Sequence, residues 1–117
     1  MAQLIPVGDE LVLTLTAAEK AEVARGDLRI PMSSVRNVEV VENGLKAVRG
    51  VRWWAGLFTP GFNAVGMFHD HGKKTFAVVH HGTRRAVRVT LDAAECDELI
   101  VGCEDPEAIA DQIFGHL

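Results

Sequence analysis

Short segments in which apolar and polar residues alternate follow one another along most of this chain, and an amphipathic helix pattern closes it. Residues 10–15 place three leucines on one side of a strand, and residues 35–41 and 84–91 repeat the period of two. Residues 105–117 instead repeat apolar side chains every three or four positions, after an Asp-Pro pair typical of a helix start. An apolar sheet face packs against the apolar side of a helix, because this contact removes both surfaces from water. The sequence therefore predicts a mainly β (α+β) fold, a bent sheet or open barrel capped by the C-terminal helix.

The predicted elements between these segments are short, and one helix follows the first predicted strand. Thr16-Ala17-Ala18-Glu19 has the spacing of a capping box, in which the two polar side chains each bond the other residue's amide. That helix ends before Gly26, which suits the left-handed position after a helix. Asn43-Gly44 is a strong turn signal, because Asn-Gly accepts positive φ at low cost. The remaining strands are predicted at residues 28–30, 45–52, 62–70, 75–81 and 98–103.

The length of 117 residues fits a single domain, residues 1–117, which buries enough surface to form a core without metal or disulfide bonds. No apolar run approaches the roughly 18 residues of a membrane span. The first six residues lack the basic and apolar regions of a signal peptide. We therefore expect a cytoplasmic protein.

Charge is distributed unevenly: residues 1–43 sum to −3, residues 44–90 to +7 and residues 91–117 to −8, which together give the net −4. This separation is typical either of an electropositive face for an acidic ligand or of a basic middle that packs beside the acidic end. We favour internal neutralisation, because one compact domain brings the segments within a Debye length of about 8–10 Å. The acidic balance and the lack of a recognition motif argue against nucleic-acid binding.

Four stretches carry a likeness to a known family: Arg29–Val40, Lys74–Val79, Ala86–Leu91 and Asp105–Ile109. In these packing and capping patterns, and in their order, the chain resembles a bacterial PH-like domain of an uncharacterised family. The resemblance implies two orthogonal antiparallel sheets that form a partly open barrel, with the C-terminal helix closing one end. It also implies a binding module for phosphoinositide headgroups, peptides or partner proteins, since PH-like domains are not generally catalysts.

The chain departs from the phosphoinositide-binding pattern of that family. Lipid-binding relatives carry a cluster of Lys and Arg on the first two strands and the loop between them. Here the basic residues of that region stand among carboxylates, which repel a headgroup phosphate. We therefore expect no phosphoinositide binding. The basic residues are Lys20, Arg25 and Arg29, and their acidic neighbours are Glu10, Glu19, Glu22 and Asp27.

Four histidines, His69, His71, His80 and His81, invite a metal site because imidazole is a common zinc ligand. A hairpin turn near Gly72-Lys73 separates His69 from His80 by about 13 Å along the strands. His69 and His71 share a face, but a zinc site needs three or four protein ligands. We therefore expect no metal site and no cofactor, and histidines that are solvated on strand faces.

No residue pattern indicates catalysis, and we predict that the protein is not an enzyme. Cys96 and Cys103 have neither zinc nor redox spacing, and nearby carboxylates raise a thiol pKa, so both are expected to be buried and reduced. Lys73-Lys74 and Arg84-Arg85 flank consecutive turns, which fall at opposite ends of a shared strand. They therefore form two separate basic edges rather than one anion site.

Residues 53–68 carry no charge and contain both tryptophans and three of the phenylalanines. The first half of this segment is rich in Gly and Pro, which predicts a loop. Such a loop can cover the core, meet a protein partner or a second copy, or dip into a membrane surface or ligand pocket. Aromatic side chains concentrate at protein interfaces because each removes a large area from water. For residues 53–61 the sequence leaves these alternatives open.

We predict a non-enzymatic binding module that engages a protein partner or a second copy of itself. The mechanism combines an exposed sheet edge, able to accept an added strand, with the aromatic loop as its anchor. The alternative is a carrier of small molecules or lipids with an apolar cavity in the barrel. An enzyme would need a polar pocket with a strongly perturbed acid or base. The predicted partner-binding residues are Trp53, Trp54, Leu57 and Phe58.

Overall fold

The computed structural model describes residues 2–23, 26–48, 51–59, 63–80 and 82–117, which form nine strands in two sheets and three α-helices. The fold of these residues is therefore mainly β with a C-terminal helix, as the sequence predicts. The elements in chain order are β1 (Gln3–Val7), β2 (Glu10–Thr14), α1 (Ala17–Val23), β3 (Leu28–Pro31), a 3-10 turn (Met32–Ser34), β4 (Val35–Val41), α2 (Gly44–Ala47), β5 (Val51–Thr59), β6 (Asn63–Asp70), β7 (Lys73–His80), β8 (Ala86–Leu91), β9 (Glu98–Gly102) and α3 (Pro106–Phe114).

The described strands form one sheet of three and one sheet of six, and neither closes on itself. The small sheet has the order β1-β2-β3 and is antiparallel. The large sheet has the order β4-β8-β9-β7-β6-β5, and all its pairs are antiparallel except β7 with β9. The expectation of wholly antiparallel sheets is wrong for this pair. The sequence predicts that β7 and β8 are neighbours in a hairpin, but β9 lies between them. β9 runs antiparallel to β8 and parallel to β7.

The main core joins the two sheets and α3. Leu11 and Ile30 of the small sheet belong to the same apolar cluster as Leu99 of the large sheet and Ile113 of α3, and all four are at most 1% exposed. Successive residues of a strand point to opposite faces, so β7 also contributes to a second cluster on the outer face of the large sheet. This second cluster, which packs beneath α2, contains Ala64, Phe68, Ala77, Val79, Ala86 and Ile100.

The first turns of α3 form and pack as predicted. The Asp105 side chain accepts a hydrogen bond from a first-turn amide at 3.2 Å, and Pro106 needs no partner for a missing N–H. Ile113 is fully buried. Phe114 and Leu117, however, are 54% and 56% exposed, so the predicted apolar stripe is wrong at its end. α3 ends at Phe114, and the stripe is longer than the part of the helix that the core covers.

The capping box at the start of α1 is confirmed. The Thr16 amide donates to Glu19 Oε1 at 2.9 Å, and the Glu19 amide donates to Thr16 Oγ1 at 3.2 Å. This helix follows the second strand rather than the first, because β1 precedes the strand predicted as the first. β1 was not predicted, since it has only five residues and contains Pro6. Proline cannot donate to a ladder, which suits β1 to the edge position that it occupies.

The predicted strand at residues 45–52 is wrong, because Gly44–Ala47 form α2 and β5 begins only after it. Asn43 is the N-cap of α2, and its Oδ1 accepts a hydrogen bond from a first-turn amide at 3.3 Å. An asparagine side chain bonds backbone amides in turns and at helix starts alike, so its signal was assigned to the wrong element. Gly44 also packs so closely that an added Cβ would lie 2.9 Å from the Ala86 Cβ.

Ion pairs join the basic middle of the chain to its acidic end. Lys73 Nζ lies 3.0 Å from Glu98 Oε2, and Arg85 pairs with Glu107 on α3. The Arg85 Nε also lies 3.0 Å from Glu42 Oε2, so one guanidinium links α3 to the segment after β4. These contacts confirm the predicted internal neutralisation at these residues.

Candidate functional site

The aromatic segment forms an edge strand of the large sheet. β5 comprises Val51–Thr59 and pairs with β6, and among the described strands it has no neighbour on its other side. The predicted loop is therefore wrong. The side chains of residues 51–59 lie outside the described part of the structure, so the choice between core cover and interface stays a prediction. All four predicted site residues lie in this one strand: Trp53, Trp54, Leu57 and Phe58.

The register between β5 and β6 slips at the two tryptophans. Arg52 is opposite Phe68 and Gly56 is opposite Gly66, so the three residues Trp53–Ala55 face a single residue of β6. Such a β-bulge bends the strand and changes where its side chains point, and bulges are common at sheet edges and beside binding sites. Gly66 has a φ of 138°, a conformation that glycine adopts without strain. Gly56, one of the residues that suggested a loop, thus lies in a bulged strand instead.

The second half of β5 pairs regularly with β6. Leu57 is opposite Val65 and Phe58 is opposite Ala64, and both β6 residues are fully buried. α1 packs against both β5 and β6. This half of the edge strand is therefore held by a regular ladder, whereas the ladder is interrupted at the bulge.

A buried hydrogen-bond network fixes α1 to the large sheet near the end of β5. The Glu19 side chain is 4% exposed, and its Oε2 lies 2.9 Å from His80 Nε2 at the end of β7. The other ring nitrogen, His80 Nδ1, lies 3.0 Å from Asn63 Oδ1. Asn63 begins β6 and is opposite both His80 and Thr59, the last residue of β5. The network therefore connects α1 to the end of the sheet at which β5 stops.

The Glu19 carboxyl retains its charge in this buried position. Burial raises the pKa of Glu19, but hydrogen bonds involving Thr16 and His80 lower it by more, so the net pKa lies below the ordinary value of 4.5. A buried carboxylate is stable only where donors offset its lost hydration. The expectation that His80 is merely solvated is wrong, because both of its ring nitrogens contact side chains, those of Glu19 and Asn63. The sequence did not indicate the contact with Glu19, because the two residues are 61 positions apart.

The turn between β6 and β7 lies one residue earlier than predicted. His71-Gly72 have φ angles of 49° and 84°, the positive values of a two-residue type I′ hairpin turn. His80 is opposite Asn63, which lies six residues before His69 on β6. His80 and His69 are therefore about 20 Å apart along the strands. His81 lies outside the described residues. Within the described ranges, no group of three or more His, Cys, Asp or Glu is placed to hold a metal ion.

A second buried carboxylate lies at a small polar cavity of about 90 Å³ on the large sheet. Glu98 is 5% exposed; its Oε1 accepts a hydrogen bond from Thr75 Oγ1 at 2.9 Å, and its Oε2 lies 3.0 Å from Lys73 Nζ. Arg88 also lines the cavity and donates to Glu39. Each of these charges has a partner within the cluster. These pairs therefore connect neighbouring strands of the large sheet.

Both cysteines are free thiols, as predicted, but only Cys96 is fully buried. Burial, together with the charges of Asp105 and Glu107, raises the pKa of the partly buried Cys103 thiol to about 11. A thiol with so high a pKa is a poor nucleophile near neutral pH.

Comparison with known proteins gives no match: no family model, curated protein or solved structure is similar to this chain. None of the helices in the described ranges combines the length and the apolar composition that crossing a membrane requires. The functional assignment therefore depends on the geometry of the chain itself.

Proposed function

We propose that this protein is a non-enzymatic, PH-like binding module that engages a protein partner or a second copy of itself through β5. The observation that carries the proposal is the position of the aromatic segment at a sheet edge, with a bulge at its two tryptophans. An edge strand presents a row of backbone donors and acceptors to which another strand can pair. In this proposal the sheet edge and the aromatic anchor are the same segment.

When a partner adds a strand to a sheet edge, both the backbone and the side chains of the edge strand take part in recognition. Main-chain hydrogen bonds supply affinity, and side chains at alternate positions supply specificity. Residues 53–59 carry no charge, so no ionised group is desolvated when a partner covers them. Tryptophan is among the residue types that most often dominate interface energies. Trp53, Trp54, Leu57 and Phe58 are therefore the proposed anchors.

Pre-organisation of the edge supports the same proposal. The regular half of β5 is paired with buried residues of β6, and β5 contacts α1, which the Glu19–His80 pair fixes to the sheet. A strand that is already ordered loses less conformational entropy on binding than a free loop.

The test compares the wild-type chain with the double variant Trp53→Ala/Trp54→Ala. Light scattering after size exclusion measures self-association, and affinity purification from the native cell measures partner capture. We expect the variant to keep its circular dichroism and melting temperature while it loses the captured partner or changes from oligomer to monomer. Loss of the fold would instead show that the tryptophans cover the core, and would overturn the proposal.

A matched control removes apolar side chains elsewhere. Phe114 and Leu117 are 54% and 56% exposed at the end of the chain, and neither lies in β5. We expect Phe114→Ala/Leu117→Ala to leave capture and oligomer mass unchanged. Equal losses in the two double variants would show general surface hydrophobicity rather than recognition by β5.

The alternative function is a carrier of small molecules or lipids. A groove of about 590 Å³ between β1 and α3, with Leu4 and Ile109 in its lining, favours this alternative. Native mass spectrometry of the purified chain distinguishes the two functions. A stoichiometric small molecule that copurifies with the protein supports the carrier, and a clean mass supports the binding module.

The PH-like assignment and the cytoplasmic location belong to the same proposal. The packing of α3 against β1, β4 and β8 supports a sheet structure closed by a helix, although the parallel β7–β9 pair departs from the implied topology. The two free thiols support a reducing compartment.

A further inference from the structure

The groove between β1 and α3 runs along the edge of the small sheet. Ala2 and the first three residues of β1 line one wall, and Ala108, Ile109 and Gln112 of α3 line the other. Successive side chains of a strand point to opposite faces of its sheet. A groove that meets four consecutive residues therefore follows the strand edge, where the backbone N–H and C=O groups lie.

That edge of β1 is open to pairing. Among the described strands β1 pairs only with β2, in a register that leaves its other side without a ladder. Pro6 lacks an amide hydrogen and so limits a further ladder to the first half of the strand. The groove lies beside this half. Its volume of about 590 Å³ falls within the range of ligand sites in proteins.

The groove combines an apolar base with an acidic rim. Leu4 and Val101 are at most 2% exposed at its base, and Ile109 stands on the α3 wall. Glu104 and Asp105 form the rim, and none of the described residues that line the groove is a Lys, Arg or His. Glu104 is exposed and makes no ion pair with another described residue.

The charges that line the groove and form no ion pair with another described residue are negative. The last 27 residues contain eight carboxylates and no Lys or Arg. Asp92, Glu98 and Glu107 are neutralised by Arg36, Lys73 and Arg85, whereas Glu104 and Asp105 form no ion pair with a described residue. The partial positive charge at the start of α3 opposes these two carboxylates, but it amounts to roughly half an elementary charge, less than the charge of Glu104 and Asp105 together. A cationic ligand is therefore attracted to this end of the molecule.

We propose that the groove binds an extended basic peptide segment of a partner protein, which adds a strand to β1. Apolar side chains at alternate positions of the peptide pack on Leu4 and Ile109, and a Lys or Arg between them lies beside Glu104 and Asp105. Backbone pairing with an edge strand accounts for the extended form, and charge complementarity accounts for the basic residues. This second surface lies on the small sheet and does not depend on the proposed role of β5.

Selection of a displayed library of random octapeptides on the full-length chain provides the first test. We expect selected peptides to alternate apolar and basic residues. The strongest selected peptide is then synthesised with a fluorescent label, and its dissociation constant is measured by anisotropy at two salt concentrations. Affinity should fall as salt screens the rim charges. Methylation of the backbone nitrogens that face β1 should abolish binding, whereas methylation of the alternate nitrogens should not.

Two charge reversals on exposed residues separate the rim from the general field. Glu104→Lys should weaken the labelled peptide about tenfold, since it converts an attraction into a repulsion. Asp111→Lys makes the same change in net charge within α3, at a residue that does not line the groove, and should weaken peptide binding less than threefold. The double variant Trp53→Ala/Trp54→Ala should bind the peptide as the wild type does.

Several results would overturn this assignment. The first two are selected peptides that contain no basic residues and a dissociation constant above about 1 mM for the labelled peptide. The others are an equal loss of peptide affinity in Glu104→Lys and Asp111→Lys, and a small molecule that copurifies with the protein and occupies the groove. Loss of peptide binding in the tryptophan double variant would place the peptide on β5 instead.

Discussion

Removal of the Glu19 carboxylate tests the connection between α1 and the large sheet. Glu19→Ala eliminates half of the capping box, which costs about 1 kcal/mol. It also eliminates a hydrogen bond between His80 and a carboxylate that is 4% exposed, which costs about 1.5–3 kcal/mol. We therefore expect the free energy of unfolding to fall by about 2.5–4 kcal/mol, which for this chain length lowers the melting temperature by about 10–16 °C.

Urea unfolding followed by circular dichroism measures this loss, with Glu10→Ala as the control. Glu10 also belongs to an ion pair, but its side chain is 43% exposed and lies 3.5 Å from Arg29. An exposed pair of this kind contributes about 0–1 kcal/mol, so the control should change little. Equal losses in the two variants, or a loss below about 1 kcal/mol in Glu19→Ala, would refute the reasoning.

The same carboxyl makes an acid-dependent contribution with a defined sign. The folded-state pKa of Glu19 lies below its ordinary value of 4.5, so the folded state binds the proton less readily than the unfolded state. Its stabilising contribution is therefore present above about pH 4.5 and is lost as the pH falls through the folded-state pKa. Glu19→Gln, which has no carboxyl, should lack this part of the acid-induced loss of stability. An unchanged difference between wild type and Glu19→Gln from pH 7 to pH 3 would contradict the assignment.

Three further results are expected. Gly102→Ala should lower the free energy of unfolding by about 1–3 kcal/mol, because its Cβ would lie 2.5 Å from the Thr83 carbonyl oxygen, whereas Gly115→Ala, with its nearest atoms at 3.5 Å, should be neutral or slightly stabilising in the same urea titration. Ile113→Ala should cost about 2–5 kcal/mol, and a loss below 1 kcal/mol would show that α3 does not cover the core. Cys103 should react with iodoacetamide about a hundredfold more slowly at pH 8 than a small-molecule thiol, with a rate that rises towards pH 11; mass spectrometry measures this, and rapid reaction at pH 7 would contradict the raised pKa.

Elements with local signals could be predicted from the sequence. The capping box at Thr16 and the N-cap at Asp105 form as expected, because each depends on residues within one turn of helix. Most of the strands could be predicted from their period of two. The alternation fails where the strand is short or irregular, as in β1 with its proline and in β5 with its bulge.

Features that depend on distant residues could not be predicted in the same way. The insertion of β9 between β7 and β8 is decided by packing across the whole sheet. The Glu19–His80 pair joins residues 61 positions apart, and nothing in the sequence near either residue indicates that the two are in contact. At the candidate site, the sequence identified the aromatic segment but assigned it to a loop, because Gly and Pro suit loops and β-bulges equally.

Amide hydrogen exchange across β5 tests recognition by this edge most directly. The measurement compares the wild-type chain with and without the partner that it captures, or above and below the concentration at which it self-associates. We expect slower exchange in Val51–Thr59 on association, with no such change in the Trp53→Ala/Trp54→Ala variant. Association that slows exchange elsewhere and leaves β5 unchanged would contradict the account, as would a chain that remains monomeric and captures no partner.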